Sequence, residues 1–300
     1  MNSCAFAAAL GLALLGAAGC SRSGDGNPTA ADSAPQAKRY PLTGEVVRVD
    51  AARQVLVVQH DEIKDFMPAM TMEFSVSAAD IVAARPGQRI RAELIPGEKG
   101  GAWRLEHIWP DDKPAAAAVA APAAALRQDT LIRGQSAYRE VGEKIPDFAL
   151  YDQEGRVVQS ARFHGKQIML NFIFSRCPVA TMCPASTQKM IGTQKLARES
   201  GVTNIEFVSI TLDPAYDTPA VLKEYAATRG IDTANFSFLT GPESAIKDLL
   251  TQFGVIAEFD GNLLKHTLAT LLIDANGRII HRADGSAWEP ADFVAKMRKE

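Results

Sequence analysis

The stretch "QIMLNFIFSRCPVATMCPAST", Gln167 to Thr187, joins an apolar run to two cysteines that stand six positions apart. The apolar run has the length of a buried strand. Cys177 lies just beyond it, and Cys183 falls at the start of the next segment, where Pro184 suits the first turn of a helix. A helix N-terminus lowers a thiol pKa through its dipole and its free N–H groups. The stretch therefore predicts a strand, a cysteine loop and a helix whose first turn carries a reactive thiol.

The residues that follow continue this alternation. Strand-like runs are "IEFVSITLD", "FSFL", "LATLLID" and "RIIHRAD". Helices are expected between them, at 184–200, 219–229 and 243–253, and a last helix is expected from about Pro290. Strands that alternate with helices and end in a hairpin indicate an α/β sandwich. The stretch "PDFALYDQEGRVV" resembles the lead-in hairpin of peroxiredoxin-like and Sco-like thioredoxin folds, and this resemblance implies a thioredoxin-like α/β domain over residues 131–300.

The region upstream has a different pattern. Five short strand-like runs, with turn signals between several of them, fill about seventy residues: "EVVRVD", "QVLVVQH", "MTMEFSV", "QRIRAELI" and "WRLEHIW". Such close spacing predicts a small barrel of the OB type over residues 40–110. The segment 111–130, which contains "DDKPAAAAVAAPAAA", is rich in Ala and Pro. That composition predicts a semi-extended linker that is not a packed element.

The first residues have the composition of an export signal. "AFAAALGLALLGAAGC" is an apolar run that ends in small residues and Cys20. It is short for a membrane span and fits the core of a signal peptide over residues 1–20. The ending resembles a bacterial lipobox, which implies lipidation of Cys20 and an envelope location facing the periplasm; Ser21 favours the outer membrane. Residues 21–39 are then a tether, and plain secretion is the alternative.

The composition excludes some functions. The chain has 300 residues, 47% of them hydrophobic and 22% charged, with a net charge of −3. These values are ordinary for a soluble two-domain protein and give no basic footprint for nucleic acid. The oligomeric state is not indicated.

The barrel region contains a cluster of thioethers. The stretch "HDEIKDFMPAMTMEF", His60 to Phe74, holds three of the eight methionines. Residues two apart in a strand face the same way, so Met70 and Met72 share a face, and His60 lies on the inner face of the preceding strand. Met67 can reach the same place from the loop. Thioethers favour Cu(I) over Zn, Mg or Ca, whereas packing of the core is the alternative role for these methionines.

The cysteine pair also needs a third group to define its chemistry. His266, in "LLKHTLATLLID", stands just ahead of a strand that we expect beside the first one in the central sheet. Cys177, Cys183 and His266 can therefore converge, and two thiolates with one imidazole suit copper. A structural disulfide and a metal-free dithiol reductase, with Cys177 and Cys183 as the redox pair, are the alternatives.

The C-terminal region resembles a known family. "FIFSRCP", "SITLDPAYDTPAVLKEYA" and "KHTLATLLIDANGRI" resemble the Sco/SenC family of thioredoxin-like copper chaperones. The resemblance implies Cys177, Cys183 and His266 as copper ligands, and it gives Asp213, in the "DP" pair, a role in orienting a loop. That family usually has three residues between its cysteines, and this chain has five.

The barrel region resembles a second family. "YPLTGEVVRVD" with the methionine stretch resembles the CusF-type copper- and silver-binding domain. The resemblance implies His60, Met70 and Met72 as ligands. It places Met67 where that family often has a tryptophan, so a further sulfur ligand could take the place of the aromatic ring, and packing is the alternative role for Met67.

Together these features predict an exported, lipid-anchored metallochaperone. The barrel would capture Cu(I), and the cysteine site would handle Cu(I) or Cu(II) for a client, which the Sco resemblance implies to be the copper centre of a respiratory oxidase subunit. A thiol-disulfide oxidoreductase that reduces the copper-ligand cysteines of the client, and a copper-resistance buffer, remain alternatives.

Overall fold

A computed structural model describes residues 37–97, 100–134, 137–260 and 263–298. The predicted signal peptide, the predicted lipidation site Cys20 and nearly all of the predicted first tether lie outside these ranges. In the described ranges, no helix combines the length and the apolar character needed to cross a bilayer.

The N-terminal module is a closed barrel of five strands, in agreement with the prediction of five strand-like runs. Around the barrel the order is β1-β2-β3-β5-β4, and β4 pairs back onto β1. A short helix α1 lies between β3 and β4. The elements are β1 (Tyr40–Asp50), β2 (Val55–His60), β3 (Met70–Ser75), α1 (Ala78–Ala83), β4 (Arg89–Ile95) and β5 (Arg104–Pro110).

The barrel core follows from the alternation of side chains along each strand. In β2, Leu56, Val58 and His60 are buried, as a two-residue period requires. In β3, burial increases along one face from Met70 through Met72 to Phe74. A histidine is thus placed inside an otherwise apolar barrel.

The C-terminal module is a five-stranded sheet in the order β10-β9-β8-β13-β14, and helices lie on both of its faces. Two small hairpins, β6–β7 and β11–β12, stand outside this sheet. The strands are β6 (Ala149–Tyr151), β7 (Val157–Gln159), β8 (Gln167–Ile173), β9 (Ile205–Thr211), β10 (Phe236–Leu239), β11 (Ala257–Asp260), β12 (Leu263–His266), β13 (Ala269–Ile273) and β14 (Ile279–Asp284). The helices are α2 (Lys113–Arg133), α3 (Cys183–Glu199), α4 (Pro219–Thr228), α5 (Glu243–Phe253) and α6 (Pro290–Val294).

Strand β8 is the centre of this module. Every residue of β8 is buried, because the strand has neighbours on both edges and helices on both faces. Ile168, Leu170 and Phe172 belong to the core shared with α5, whereas Met169 and Ile173 belong to the core shared with α3 and α4. The α/β thioredoxin-like architecture predicted from the sequence is confirmed.

The predicted semi-extended linker is wrong, because most of the segment lies in helix α2. Alanine has the highest helix propensity, and the Asp112 side chain caps the N-terminus by accepting from the Ala115 N–H at 3.1 Å. Pro122 inside the helix removes one donor without ending it. The prediction relied on composition, because alanine and proline together are typical of spacers. The segment is a helix because it has an N-terminal cap and one face that is buried.

Helix α2 is held against α5 by polar and apolar contacts. Leu126 is buried in the core that includes α5, and Arg127 donates to the buried Asp248 at 2.9 Å. Near the end of the helix, the Gln252 amide donates to the Thr130 hydroxyl at 3.1 Å. The segment between the two modules is therefore a packed element.

The barrel also contacts the C-terminal module directly. Trp109 of β5 stands edge-on to Tyr151 of the β6–β7 hairpin, with ring centroids 5.9 Å apart. Both rings belong to a small buried cluster with Ala149 and with Val119 of α2. The two modules thus share a small apolar interface.

We predict that Leu126→Ala lowers the free energy of unfolding by about 2–5 kcal/mol, because it leaves a cavity at a site that is 2% exposed. Leu131→Ala, the same change on the same helix at a site that is 57% exposed, should change it by less than about 0.5 kcal/mol. Chemical denaturation of the full chain measures both. If both substitutions changed the free energy of unfolding by equally small amounts, residues 111–130 would be an unpacked spacer.

Candidate metal centres

The cysteine loop and His266 meet because β8 and β13 pair in antiparallel register. Asn171 of β8 lies opposite Thr270 of β13, so the C-terminal end of one strand stands beside the N-terminal end of the other. Cys177 lies a few residues beyond the end of β8, and His266 lies a few residues ahead of the start of β13. Side chains that are 83 and 89 positions apart in the chain are thereby brought to one edge of the sheet.

The three side chains form a compact donor group. His266 Nε2 lies 3.8 Å from Cys177 Sγ and 3.7 Å from Cys183 Sγ. All three atoms fall within 4.8 Å of one another, and no second group of three such cysteine, histidine or acidic residues is found in the described part of the chain. Both cysteines are free thiols. One ion placed among these atoms would have two sulfur donors and one nitrogen donor.

The hydrogen bond of His266 uses Nδ1 and leaves Nε2 available to a metal ion. Nδ1 lies 3.3 Å from the carbonyl oxygen of Thr267, so the proton belongs on Nδ1 and the lone pair of Nε2 faces the sulfurs. Burial lowers the pKa of His266, and the hydrogen bond to Thr267 opposes this effect. The ring of Phe174 stands edge-on to the imidazole, with ring centroids 6.3 Å apart, and closes its apolar side. His266 is therefore a neutral ring with a free Nε2 at neutral pH.

The prediction that the helix start lowers the Cys183 thiol pKa is wrong in sign. Cys183 is the first residue of α3 and is 0% exposed. Burial raises the pKa of the Cys183 thiol well above its usual range, and the neighbouring Cys177 adds to this rise. Removing a thiolate from water costs more free energy than the helix dipole contributes to stabilising that thiolate. Cys177, by contrast, is partly exposed.

Two acids anchor the cysteine loop to the loop after β9. The Asp217 carboxylate is fully buried and accepts from the Ser175 hydroxyl and from the Thr211 hydroxyl, the latter at 2.6 Å. Asp213 accepts from the Arg176 guanidinium at 2.9 Å, in keeping with its predicted role in orienting a loop. Sequence reasoning missed Asp217, although a second acid four residues after Asp213 was a readable signal.

Burial raises the pKa of Asp217 to about 6, and its hydroxyl partners oppose this rise. An acid that is this deeply buried stays in place because three donors surround it: the Ser175 N–H, the Ser175 hydroxyl and the Thr211 hydroxyl. The position of Cys177 thus depends on buried groups that lie on and just beyond the neighbouring strand.

The five-residue spacing between the cysteines is accommodated as a turn. The Met182 N–H donates to the Val179 carbonyl at 3.0 Å, which closes the loop just ahead of α3. The Met182 side chain packs against the core that lies on the α5 face of the sheet. The longer loop therefore leaves Cys177 and Cys183 close together.

In the barrel, the predicted ligands share one face of β2 and β3. His60 lies directly opposite Met70, and Val58 lies opposite Met72, so Met72 is the diagonal neighbour of His60. Directly opposed side chains have Cβ atoms about 5 Å apart, and diagonal ones are about 7–8 Å apart. Met70 is 43% exposed, whereas His60 is 1% exposed. The group thus runs from the barrel interior to its surface.

His60 has a buried nitrogen that lacks a partner. Its Nδ1 lies 2.7 Å from the Asp61 carbonyl oxygen, which places the proton there. Its Nε2 is inaccessible to solvent and makes no hydrogen bond to any described residue. Buried polar atoms are nearly always paired, so this lone pair is an unfilled acceptor.

Met67 stands in the loop between the two strands. It forms an isolated bridge with Ile63, and its side chain packs against the barrel core. The preceding Phe66 stacks on Tyr40 with ring centroids 3.7 Å apart. An aromatic ring is therefore present beside the position at which CusF-type domains often have tryptophan.

Comparisons with known proteins agree with this division into two modules. Residues 136–300 match the SCO1/SenC family, and residues 39–110 match the family of the copper binding periplasmic protein CusF. The chain belongs to the SCO1/SenC family and carries a CusF-like module at its N-terminal side. Thus the two sequence resemblances are confirmed.

Individual relatives match the C-terminal module. The SCO2-like protein of Rickettsia conorii is 35% identical over 157 residues, which cover 49% of this chain and 74% of the relative. The SCO1 protein homolog of Bacillus subtilis is 26% identical over 165 residues, covering 54% and 84%. The crystal structure of a SCO1/SenC family lipoprotein from Bacillus anthracis is 26% identical, with a TM-score of 0.47, and the match covers 53% of this chain and 96% of that one.

We predict that Cys177 is alkylated before Cys183 in the reduced, metal-free protein. The Cys183 thiol is buried and its pKa is raised, so it stays protonated and shielded at neutral pH, and its reaction should accelerate only in strongly alkaline solution. Timed treatment with iodoacetamide followed by peptide mass spectrometry measures both rates, and the unfolded protein is the control. Preferential modification of Cys183 at neutral pH would contradict the geometry described here.

Proposed function

We propose that this protein is an exported copper metallochaperone with two soft-metal sites on one chain. The CusF-like barrel captures Cu(I) through His60, Met70 and Met72. The Sco-like module holds copper as cargo at its two cysteines and His266 and delivers it to a client.

The proposal rests on the convergence of two thiols and one imidazole within 4.8 Å. Thiolate and imidazole donors suit copper in both oxidation states, whereas oxygen donors would be needed for Mg or Ca. A bound ion would also draw protons from both cysteines, because metal ligation requires thiolates. The raised pKa of the Cys183 thiol makes the release of its proton costly, and the bonds from copper to the thiolates would offset that cost.

The barrel contributes a donor set of a different kind. Thioethers are neutral and soft, so they favour Cu(I) and are poor partners for Zn²⁺. The orphan Nε2 of His60, beside Met70 across the strand pair, supplies one nitrogen donor. The match to the copper binding periplasmic protein CusF supports the same residues as ligands.

A thiol-disulfide oxidoreductase is the second candidate function. Cys177 and Cys183 are free thiols within 4.8 Å of each other, so oxidation could join them. In that function Cys177, the more accessible thiol, would attack a disulfide of the client, and Cys183 would resolve the mixed disulfide. The presence of His266 Nε2 near both sulfurs favours copper handling, because a dithiol reductase needs no third donor. A copper-resistance buffer would use the same two sites without a client.

The resemblances support a proposal for the client and for the location. Sco/SenC membership supports a respiratory oxidase subunit as the acceptor of copper. We propose that Cys20 is lipidated and that the chain is anchored, facing the periplasm, with the outer membrane favoured by Ser21. The lipid is then the sole attachment to the membrane, and no nucleic acid is involved.

We predict that the reduced full chain binds one copper at the cysteine site and that the oxidised chain binds none there, because a disulfide removes both thiolates. His266→Ala should weaken that site at least about tenfold, which is about 1.4 kcal/mol. His164→Ala is the matched control, since His164 is exposed and lies outside the donor group. Thiolate–copper absorption in the presence of a competing chelator measures the affinities. Equal copper binding by oxidised and reduced protein would overturn the assignment.

For the barrel, we predict that Met70→Leu and Met72→Leu each weaken Cu(I) binding while the fold persists, because leucine matches methionine in volume and lacks the sulfur. Met67→Leu distinguishes a third thioether ligand from a packing residue. Zn²⁺ should compete poorly for the site. Chelator competition on a Cys177→Ser, Cys183→Ser background measures Cu(I) affinity, and thermal unfolding checks the fold. Unchanged affinity in Met70→Leu and Met72→Leu would assign both residues to the core.

A further inference from the structure

His266 is carried by a hairpin that has little support from the main sheet. Among the described residues, strands β11 and β12 pair only with each other, in a two-stranded sheet of their own. Ile256 and Phe259, at and near the start of this hairpin, are 57% and 53% exposed. His266 is the last residue of β12 and lies opposite Ala257. Leu264 of β12 is buried in the core on the α5 face of the sheet, so packing holds the hairpin, but among the described residues no strand pairing with the main sheet sets the direction of the imidazole.

Thr267 makes a two-point connection at the base of this hairpin. Its main-chain N–H donates to the Ile256 carbonyl at 2.9 Å. Its hydroxyl oxygen accepts from the Ile256 N–H at 3.0 Å. Both main-chain groups of Ile256 are thus satisfied by the residue that directly follows the histidine, and the next residue, Leu268, is already buried in the core.

The same residue orients the imidazole. The carbonyl oxygen of Thr267 lies 3.3 Å from His266 Nδ1, and no other described residue provides a hydrogen-bond acceptor for that nitrogen. Because the Thr267 backbone is locked to Ile256, its carbonyl has a fixed direction. That direction places the proton on Nδ1 and turns Nε2 toward Cys177 and Cys183.

We propose that Thr267 is the positioning residue of the cysteine site: its hydroxyl locks the hairpin base, and its carbonyl thereby holds His266 in the tautomer and orientation that present Nε2 to copper. This inference rests on the proposed function, because it assigns a role at the same site. It identifies a residue that contributes no donor atom to the metal.

Thr267→Val tests the proposal because valine keeps the shape and the main chain but removes the acceptor of the Ile256 N–H. Outer-shell changes of this kind typically weaken a metal site about 10- to 100-fold. Thr267→Ser retains the hydroxyl, so its copper affinity should stay within about threefold of the wild type, a much smaller loss than that expected for Thr267→Val. Thr270→Val is the matched control, because the Thr270 hydroxyl is buried nearby and has no hydrogen-bond partner in the described part of the chain.

The probe is Cu²⁺ alone, added to the reduced full chain and followed by thiolate–copper absorption under chelator competition, a signal to which the barrel donors do not contribute. A second readout is independent of copper: ¹⁵N NMR of the imidazole in the metal-free protein. Wild type, Thr267→Ser and Thr270→Val should show the Nδ1-protonated tautomer, whereas Thr267→Val should show a mixture of tautomers. Thermal unfolding establishes that each variant is folded.

The outcomes separate this inference from the proposed function. If His266→Ala weakens copper binding and Thr267→Val matches Thr270→Val in both affinity and imidazole shifts, the positioning role is overturned. If Thr267→Val weakens binding but serine does not rescue it, the hydroxyl is not the active group and the proposal also fails. If the wild type gives no thiolate–copper absorption, or His266→Ala leaves it unchanged, the metal site itself is wrong.

Discussion

The antiparallel pairing of β8 with β13 is the constraint on which the candidate site depends. Its register sets Asn171 opposite Thr270, so whatever follows β8 must meet whatever precedes β13. Both strands are buried throughout, and a one-residue slip would turn their core side chains to the wrong face. Core packing therefore brings the cysteine loop and His266 together, and the bonds to Asp213 and Asp217 hold the loop in place.

The two modules use one local arrangement for their histidines. In each, Nδ1 is held by the carbonyl of the next residue, Asp61 in the barrel and Thr267 in the C-terminal module. Nε2 of His60 has no partner among the described residues, and Nε2 of His266 faces the two cysteine sulfurs. The sulfur partners differ: across the strand pair from His60 they are neutral thioethers, and beside His266 they are thiols that can ionise. Thiolates bind Cu(I) more strongly than neutral sulfur because they add a charge to a soft donor. The difference suits capture at the barrel and firmer retention at the cysteine site.

Regular structure could be predicted where the sequence pattern and the packing agree. The five barrel runs and the later alternation of strands with helices correspond to observed elements, because apolar periodicity reports directly on burial. Other features depend on tertiary contacts. Helix α2 has a composition that also fits a spacer, and it packs through partners as distant in the chain as Asp248. The sign of the Cys183 pKa shift depends on complete burial. The hairpin that carries His266 has two four-residue strands, "AEFD" and "LLKH", which lack the mainly apolar composition that made "FSFL" recognisable as a strand.

X-ray absorption spectroscopy tests most directly whether Cys177, Cys183 and His266 together hold one copper ion. The sample is the reduced full chain in which His60→Ala and Met70→Leu disable the barrel site. We expect two sulfur scatterers and at least one imidazole nitrogen around copper, with the imidazole contribution lost when His266→Ala is added. A copper environment made of nitrogen and oxygen alone, or one that His266→Ala leaves unchanged, would contradict this assignment.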